Sequence, residues 1–588
     1  MRPRLDTPRL DSPRLDSPQE AAVTWSGAGG RTRPAAADEL LAAVLGDYRR
    51  WQRTCAEAAG PAAGPAPGEV PEEVPGAAVE LLRGLSRRLA AESTPWPSPL
   101  YLGQLTPDPP LAAALAQFCA LLYNPNNVTA EASPVTTELE HEVGDDLCRL
   151  VGHDPATGWA HLASGGHSAN FEAVWIARTL RWLPAAAATL PQARELVAGL
   201  PPAALANPPV GRALGLVSEL ARRGLLAEAR RRAAELRAER GSGRLLLARN
   251  AHYSWDKCAD LLGFAPAEVE RIGTDREHRL DLAELGRRVR ESLERGRPLA
   301  AVVATLGSCG EGSVDDLDGL RRLRADCEQR YGASFHLHVD AAAGGYFRAL
   351  CLRPDGSPRP YQELAEVLKP EVYRSLLALP EADSVTVDPH KSGRIPYPAG
   401  GLVLRDRRAA AVVGSGTGYF AEEPGGRLPY GSYTLEGARP GAAVAAVWAA
   451  HRLLGLHADG YGRLLGGWLA ATRRLHERIA ATPGLTGCFD PDLNVLNLSA
   501  EGARSEGARS DDLWSGGGGG NERWLARLRA DAAAAPLTSL WVSGNSLEFP
   551  AGTGAARPVL RLCVLKELPG ALPELVCRRL LDALRRSG

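Results

Sequence analysis

Lysine is almost missing from this chain of 588 residues: of its 68 basic residues only Lys257, Lys369, Lys391 and Lys566 are lysines. Arginine serves wherever a fixed positive charge suffices. Amine chemistry, which a permanently protonated guanidinium cannot perform, is therefore confined to four positions. A single methionine and abundant glycine mark a general compositional bias, so rarity alone singles out none of the four. Cysteine is scattered: ten residues, no CxxC pair, and none beside His336 or His338 in finger spacing. That excludes the common zinc modules, so no metal site is expected, and reduced thiols in a cytoplasm fit best. No apolar run approaches a membrane span, and the first residues are charged and proline-rich rather than signal-like. Charge excess is missing too: 68 basic against 69 acidic residues, with no long basic block. Nucleic acid and anionic membrane are thus not expected as partners, whereas a small molecule or a second copy of the chain is.

The length allows two or three domains. Residues 1–36, with their five-residue Pro-Arg-Leu-Asp period, read as a disordered tail. Residues 37–120 read as a helical N-terminal domain, opened by an amphipathic helix over 38–51, where Leu40, Leu41, Val44, Leu45, Tyr48 and Trp51 share one face. A Pro/Ala/Gly linker follows at 60–77. Residues 121–430 read as a large domain and 431–588 as a smaller one, the latter interrupted by a flexible insertion at 501–522. Apolar runs at 244–249, 299–306, 334–340 and 384–388, with helical patterns such as 315–330 between them, predict an α/β sheet, mostly parallel and covered on both faces. In such sheets ligands bind beyond the carboxyl ends of the strands.

Chemistry-bearing residues fall at those ends. Ser164-Gly165-Gly166-His167-Ser168-Ala169-Asn170 runs from a strand into a helix, where free N–H groups and small residues make a cup for an anion, with Ser168 and Asn170 able to add hydrogen bonds. His252 follows a strand and can stack on a flat ring or move a proton. Thr305 and Ser308, near the end of the next strand, offer further hydroxyls. Asp340 ends the strand Phe335–Asp340 and precedes Ala341, Ala342 and Ala343, which leave room for a ring. Lys391 closes the run Thr386-Val387-Asp388-Pro389-His390-Lys391. Taken singly each has a bland explanation: a glycine turn, a packed histidine, a helix-capping aspartate, a solvated lysine. Taken together, a phosphate cup, a stacking histidine, a carboxylate for a ring nitrogen and a nucleophilic lysine fit pyridoxal 5′-phosphate, which Lys391 would hold as a Schiff base.

The chain also resembles the group II pyridoxal-phosphate-dependent amino acid decarboxylases, and within them the bacterial tyrosine decarboxylases. The resemblance rests on Leu122-Tyr123-Asn124-Pro125-Asn126-Asn127-Val128, Glu140-His141-Glu142-Val143-Gly144, His252-Tyr253-Ser254, His338-Val339-Asp340-Ala341-Ala342, Asp388-Pro389-His390-Lys391 and Gly431-Ser432-Tyr433-Thr434-Leu435-Glu436-Gly437. It implies the fold type I (aspartate aminotransferase-like) architecture: a large domain with a mostly parallel mixed sheet, a helical N-terminal segment and a smaller α+β C-terminal domain. It implies Lys391 as the Schiff-base lysine, Asp340 as the N1 partner, His252 and Ala342 on the two ring faces, and Gly166, His167, Ser168, Asp388 and His390 in the phosphate region; Ser308 joins the cofactor-binding set on its placement alone. It further implies a homodimer with the active site at its interface and a loop tyrosine, Tyr419 or else Tyr430, that protonates the α-carbon. The implied reaction is decarboxylation of an L-amino acid, tyrosine to tyramine first. Glutamate or aspartate decarboxylation, another fold type I reaction, and a catalytically degenerate relative are the alternatives. His167 stands where relatives usually carry a hydroxyl residue, and Gln104 where tyrosine decarboxylases commonly have histidine.

Overall fold

Leu299–Thr305 is apolar at nearly every position because all seven of its residues are buried, the pattern of a central strand covered on both faces. In the computed structural model, which describes residues 34–58, 75–414, 429–500, 519–548 and 556–587, this strand lies within a seven-stranded sheet. Its strands in chain order are β1 (Trp159–Ala163), β2 (Arg244–Ala248), β3 (Val269–Ile272), β4 (Leu299–Thr305), β5 (Leu337–Asp340), β6 (Ser384–Val387) and β7 (Gly400–Leu404). Their spatial order is β1-β7-β6-β5-β4-β2-β3. The β2–β3, β2–β4, β4–β5 and β5–β6 pairs are parallel, and only β7 runs against its neighbours β1 and β6. Hence β1, β2, β4, β5 and β6 all deliver their carboxyl ends to one edge. The strand pattern of the sequence coincides with β2, β4, β5 and β6. The edge strand β3 (Val-Glu-Arg-Ile) escaped it because only Ile272 of its four residues is buried, and β7 because its two leading glycines leave an apolar run of three, although all five of its residues are buried.

Helices cover both faces. In chain order they include α1 (Pro34–Ala58), α2 (Gly76–Glu92), α3 (Leu111–Leu122), α4 (Pro134–Val151), α5 (Gly166–Thr189) and α6 (Gly441–Leu454). Proline at the start of α4 and Gly152 (φ +86°) after its end are the expected punctuation. The helix Leu317–Tyr331, close to the predicted 315–330, starts where Asp316 accepts the Gly319 N–H and ends before Gly332 at φ +59°. The predicted helix over 38–51 lies inside the longer α1, which reaches back to Pro34, within the stretch read as a tail. The rest of that tail, most of the 60–77 linker, the segment bearing Tyr419 and most of the insertion lie outside the described residues.

A second, antiparallel sheet is built from β8 (Thr486–Gly487), β9 (Val495–Ser499), β10 (Ser543–Glu548) and β11 (Ala556–Cys563), in the order β10-β11-β9-β8. Ala471, Leu475, Ile479, Trp524, Leu528, Val576 and Leu580 from three helices pack with it. One of these helices, Gly519–Ala534, corrects the predicted insertion 501–522: its first turn takes in Gly519 and Gly520. Asn521 anchors it by donating to Ser499 Oγ (3.0 Å) and accepting from the Ala500 N–H (2.9 Å). The predicted boundary at 430 also shifts. Helix α6 belongs to the larger core, where Trp448 and Arg452 donate to Glu142 and Arg452 also to Asp146, both on α4. Among the described residues no helix is long and apolar enough to cross a membrane.

Candidate active site

The carboxyl edge of the large sheet gathers residues from four connections. After β1 the chain turns at Gly165 and enters α5 at Gly166, and the first N–H groups of a helix have no partner within it. A Cβ at Gly166 would lie 2.8 Å from Asp388 Oδ2 and 3.1 Å from the Ala342 methyl; a Cβ at Gly400 would meet the Gly165 backbone at 2.4 Å. Only glycine lets the start of α5 sit this close to the β6–β7 connection that carries Lys391.

Lys391 Nζ lies 3.0 Å from Asp388 Oδ2. Burial opposes its charge, but the Asp388 and Asp340 carboxylates outweigh burial and hold the amine above its ordinary range. Asp388 is itself buried, and its Oδ1 has no hydrogen-bond partner among the described residues. His390 accepts the Ala399 N–H on Nδ1 (3.3 Å), which puts its ring proton on Nε2, 3.5 Å from Asp388 Oδ2. Burial pulls the His390 pKa down despite that carboxylate.

Asp340 ends β5 and accepts the Ala342 N–H on Oδ1 (3.3 Å) and the Asn170 amide on Oδ2 (2.8 Å). His252 Nδ1 accepts the Ser254 N–H (3.3 Å) and faces the Ser254 hydroxyl at 2.8 Å, so its own proton is on Nε2. Burial lowers the His252 pKa, and the charges acting on it are Asp340, Lys391, His167 and Asp388. The structure thus brings Lys391, His390, Asp388, Asp340, His252, Ala342 and Gly166 into one neighbourhood.

Other expected residues lie at the rim of this neighbourhood or outside it. His167 is exposed and Ser168 half-buried at the start of α5, and burial and Lys257 lower the His167 pKa. The Ser308 hydroxyl is committed to Glu311 (2.8 Å) and Ser313 (2.9 Å) within its own turn, while Thr305 gives its N–H to Asp315. Gln104 is exposed beside the Leu100–Leu102 segment, which pairs with the smaller sheet through Trp541 and Cys563. Tyr430 is no loop residue: it is buried, with its hydroxyl 2.9 Å from His141 Nδ1 and the Arg439 guanidinium 4.5 Å from its ring centroid. Asn170 also departs from expectation, turning to Asp340 instead of the anion cup. His338, Ser384 and His336, which continue the contacts of Asn170, have no role in the sequence reading. Their signal was present: positions 336, 338 and 340 alternate along β5 and its approach, so three polar groups share one buried face.

An amine, two carboxylates, two imidazoles with assigned tautomers and an open helix start form a site for covalent chemistry on an anionic, flat molecule. The comparisons agree with that chemistry. Residues 216–358 match the pyridoxal-dependent decarboxylase conserved domain. The L-tyrosine decarboxylase of Levilactobacillus brevis is 36% identical over 449 residues, 71% of this chain and 69% of that protein. The L-tyrosine decarboxylase of Enterococcus faecium is 36% identical over 449 residues, 71% of each chain. In fold, the chain is similar to a crystal structure of Oryza sativa TDC with PLP and tryptamine, with a TM-score of 0.60 at 18% identity, covering 94% of this chain and 98% of that one. A lysine beside two carboxylates at the edge of this sheet, and a sequence shared along most of its length with two decarboxylases, place the chain in the pyridoxal-dependent decarboxylase family.

Proposed function

We propose that the protein decarboxylates aromatic L-amino acids, tyrosine first, using pyridoxal phosphate. The observation that carries this reading is Lys391 Nζ, held 3.0 Å from Asp388 and under the influence of Asp340, in a chain whose relatives include L-tyrosine decarboxylases 36% identical to it. The residues fit the cofactor: among the described residues the buried Asp388 Oδ1 has no partner, Gly166 lets the start of α5 close on Asp388 and Ala342, and α5 opens with unpaired N–H groups.

Pyridoxal phosphate, when bound, supplies an aldehyde that condenses with amines and a protonated ring that takes up the electron pair of a breaking Cα–carboxylate bond. Lys391 would hold it covalently and be released by the substrate's amino group. Asp340 would pair with the ring nitrogen, His252 and Ala342 would flank the ring, and the start of α5 at Gly166, His167 and Ser168 would receive the phosphate. Asp388 keeps Lys391 and His390 oriented. His252, with its proton on Nε2, is the described donor that could return a proton to the α-carbon; Tyr419 is its rival from the sequence. Ser308, spent on Glu311, is left out of this set.

A homodimer in the cytoplasm completes the reading. In its support, α2 buries no residue and turns Leu81, Leu82, Leu85 and Leu89 outward along one stripe, a face that calls for a cover. Sedimentation equilibrium should give a dimer, and a stable monomer at micromolar concentration would remove this part. For the activity, CO2 release should be measured across a panel of L-amino acids. Tyrosine is expected to give the highest kcat/KM; turnover of glutamate or aspartate alone, or of none, would overturn the substrate.

A further inference from the structure

A line of hydrogen bonds runs behind Asp340 through the body of the sheet. Asn170 Nδ2 donates to Asp340 Oδ2 (2.8 Å), and Asn170 Oδ1 lies 3.0 Å from His338 Nε2. His338 Nδ1 and His336 Nε2 each lie 2.9 Å from the Ser384 hydroxyl. All four residues are buried, so their polar atoms pair with one another, and among their side-chain atoms only His336 Nδ1 has no partner within the described residues. Ser384 stands directly opposite His338 in the β5–β6 register, and Trp255 closes the side with its ring 5.7 Å from the His338 ring, edge to face.

The chemistry of the groups fixes the direction of every bond. A carboxylate oxygen accepts, so Asn170 must turn its amide nitrogen to Asp340 and its carbonyl to His338. That carbonyl also accepts, so His338 carries its proton on Nε2. Burial pushes the His338 pKa down to about 3, which leaves the ring neutral and makes Nδ1 an acceptor for the Ser384 hydroxyl. The Ser384 oxygen in turn accepts from His336 Nε2–H; burial keeps His336 neutral as well, at about 3. Four hydrogen bonds therefore point the same way, from His336 to Asp340, and bonds aligned in series polarise one another in a medium of low dielectric.

We propose that Asn170, His338 and Ser384 are positioning residues for Asp340: their aligned hydrogen bonds fix the carboxylate and favour its charge, so that it keeps a proton on the ring nitrogen of the bound cofactor. This rests on the pyridoxal phosphate reading above. None of the three touches the reacting atoms, so each acts only through Asp340.

The test uses the full-length protein loaded with pyridoxal phosphate labelled with ¹⁵N in the ring. The ¹⁵N chemical shift reports ring protonation without substrate, and steady-state rates with L-tyrosine accompany it. Asn170→Leu is expected to move the shift toward the unprotonated ring and to lower kcat roughly 10- to 100-fold, the effect of losing a hydrogen bond to a charged group, with KM changed far less. Ser384→Ala, two bonds further away, should move both readouts in the same direction by less, and Ser384→Thr should restore them. Should Asn170→Leu fail to fold, the Ser384 pair still decides. A wild-type ¹⁵N shift in folded Asn170→Leu or in Ser384→Ala, or an unprotonated ring in the wild type, overturns the inference alone. A wild-type protein that takes up no pyridoxal phosphate overturns the cofactor reading and this inference with it.

Discussion

Replacing Lys391 by arginine is expected to abolish decarboxylation as completely as replacing it by alanine, each lowering kcat on the order of 10³-fold or more, about 4 kcal/mol of barrier. Arginine keeps the positive charge beside Asp388 and Asp340, but a guanidinium does not lose its proton and cannot condense with an aldehyde. The pair of variants therefore separates nucleophile from counter-ion. The other lysines sharpen the contrast. Burial brings Lys566 down to about 8, which by proton affinity alone would make it the better nucleophile, but its ammonium is held by the carbonyls of Trp96 and Ser98. Lys369 is bound to Asp490 and Asp492, and Lys257 stands over the Tyr253 ring. Borohydride reduction followed by peptide mass spectrometry should fix the cofactor on the peptide containing Lys391 and leave both variants unlabelled. Label on any other lysine, or a Lys391→Arg enzyme within tenfold of wild type, would show the assignment to be wrong.

The largest loss of stability is expected at Glu140, which hydrogen-bonds to none of the site residues. Its buried carboxylate accepts from both terminal nitrogens of Arg439, from Asn127 Nδ2 at 2.7 Å and from the Leu162 N–H at 3.0 Å. One side chain thereby joins α4, β1, the Asn124–Val128 turn and the segment before α6. Glu140→Gln removes the charge and leaves the Arg439 guanidinium buried without a counter-ion. A cost of about 3–5 kcal/mol is expected, read as a lower urea midpoint at unchanged slope. Glu140→Leu with Arg439→Met removes both charges and should recover much of it. The sign with pH follows from the carboxyl group itself. Burial raises its pKa, but Arg439 and the Asn127 and Leu162 hydrogen bonds outweigh burial and hold it below the ordinary 4.5. The pair's contribution is therefore present above that value and fades as the pH falls below it, so wild type and Glu140→Gln should converge in acid. A loss under about 1 kcal/mol at neutral pH would show that the pair is not what holds these segments together.

Part of this was legible in the string of residues. Strands buried on both faces must be apolar at consecutive positions, so β2, β4, β5 and β6 announce themselves, and with them the edge where Asp340 and Asp388 emerge. The identity of a nucleophile is a property of one side chain, so Lys391 and its run Asp388-Pro389-His390 could be picked out before any fold was known. Segments whose state depends on distant partners could not be read in this way. The glycines at 519 and 520 form a helical turn because Asn521 finds Ser499 and the Ala500 N–H. Tyr430 is withdrawn from any loop role by His141, which belongs to another helix.

Residue types and their order fix the chemistry available: one lysine in a run of functional groups, small residues where a ring must lie, and strands that end on carboxylates. Which of those groups meet, and how each is charged and oriented, is settled by the fold. Asn170 faces Asp340 rather than an anion, Lys391 keeps its proton between two carboxylates, and Lys566 is bound by carbonyls. The reason is physical. Propensity and periodicity act over a few residues, whereas desolvation and hydrogen bonding inside a protein depend on neighbours that the fold brings from far along the chain.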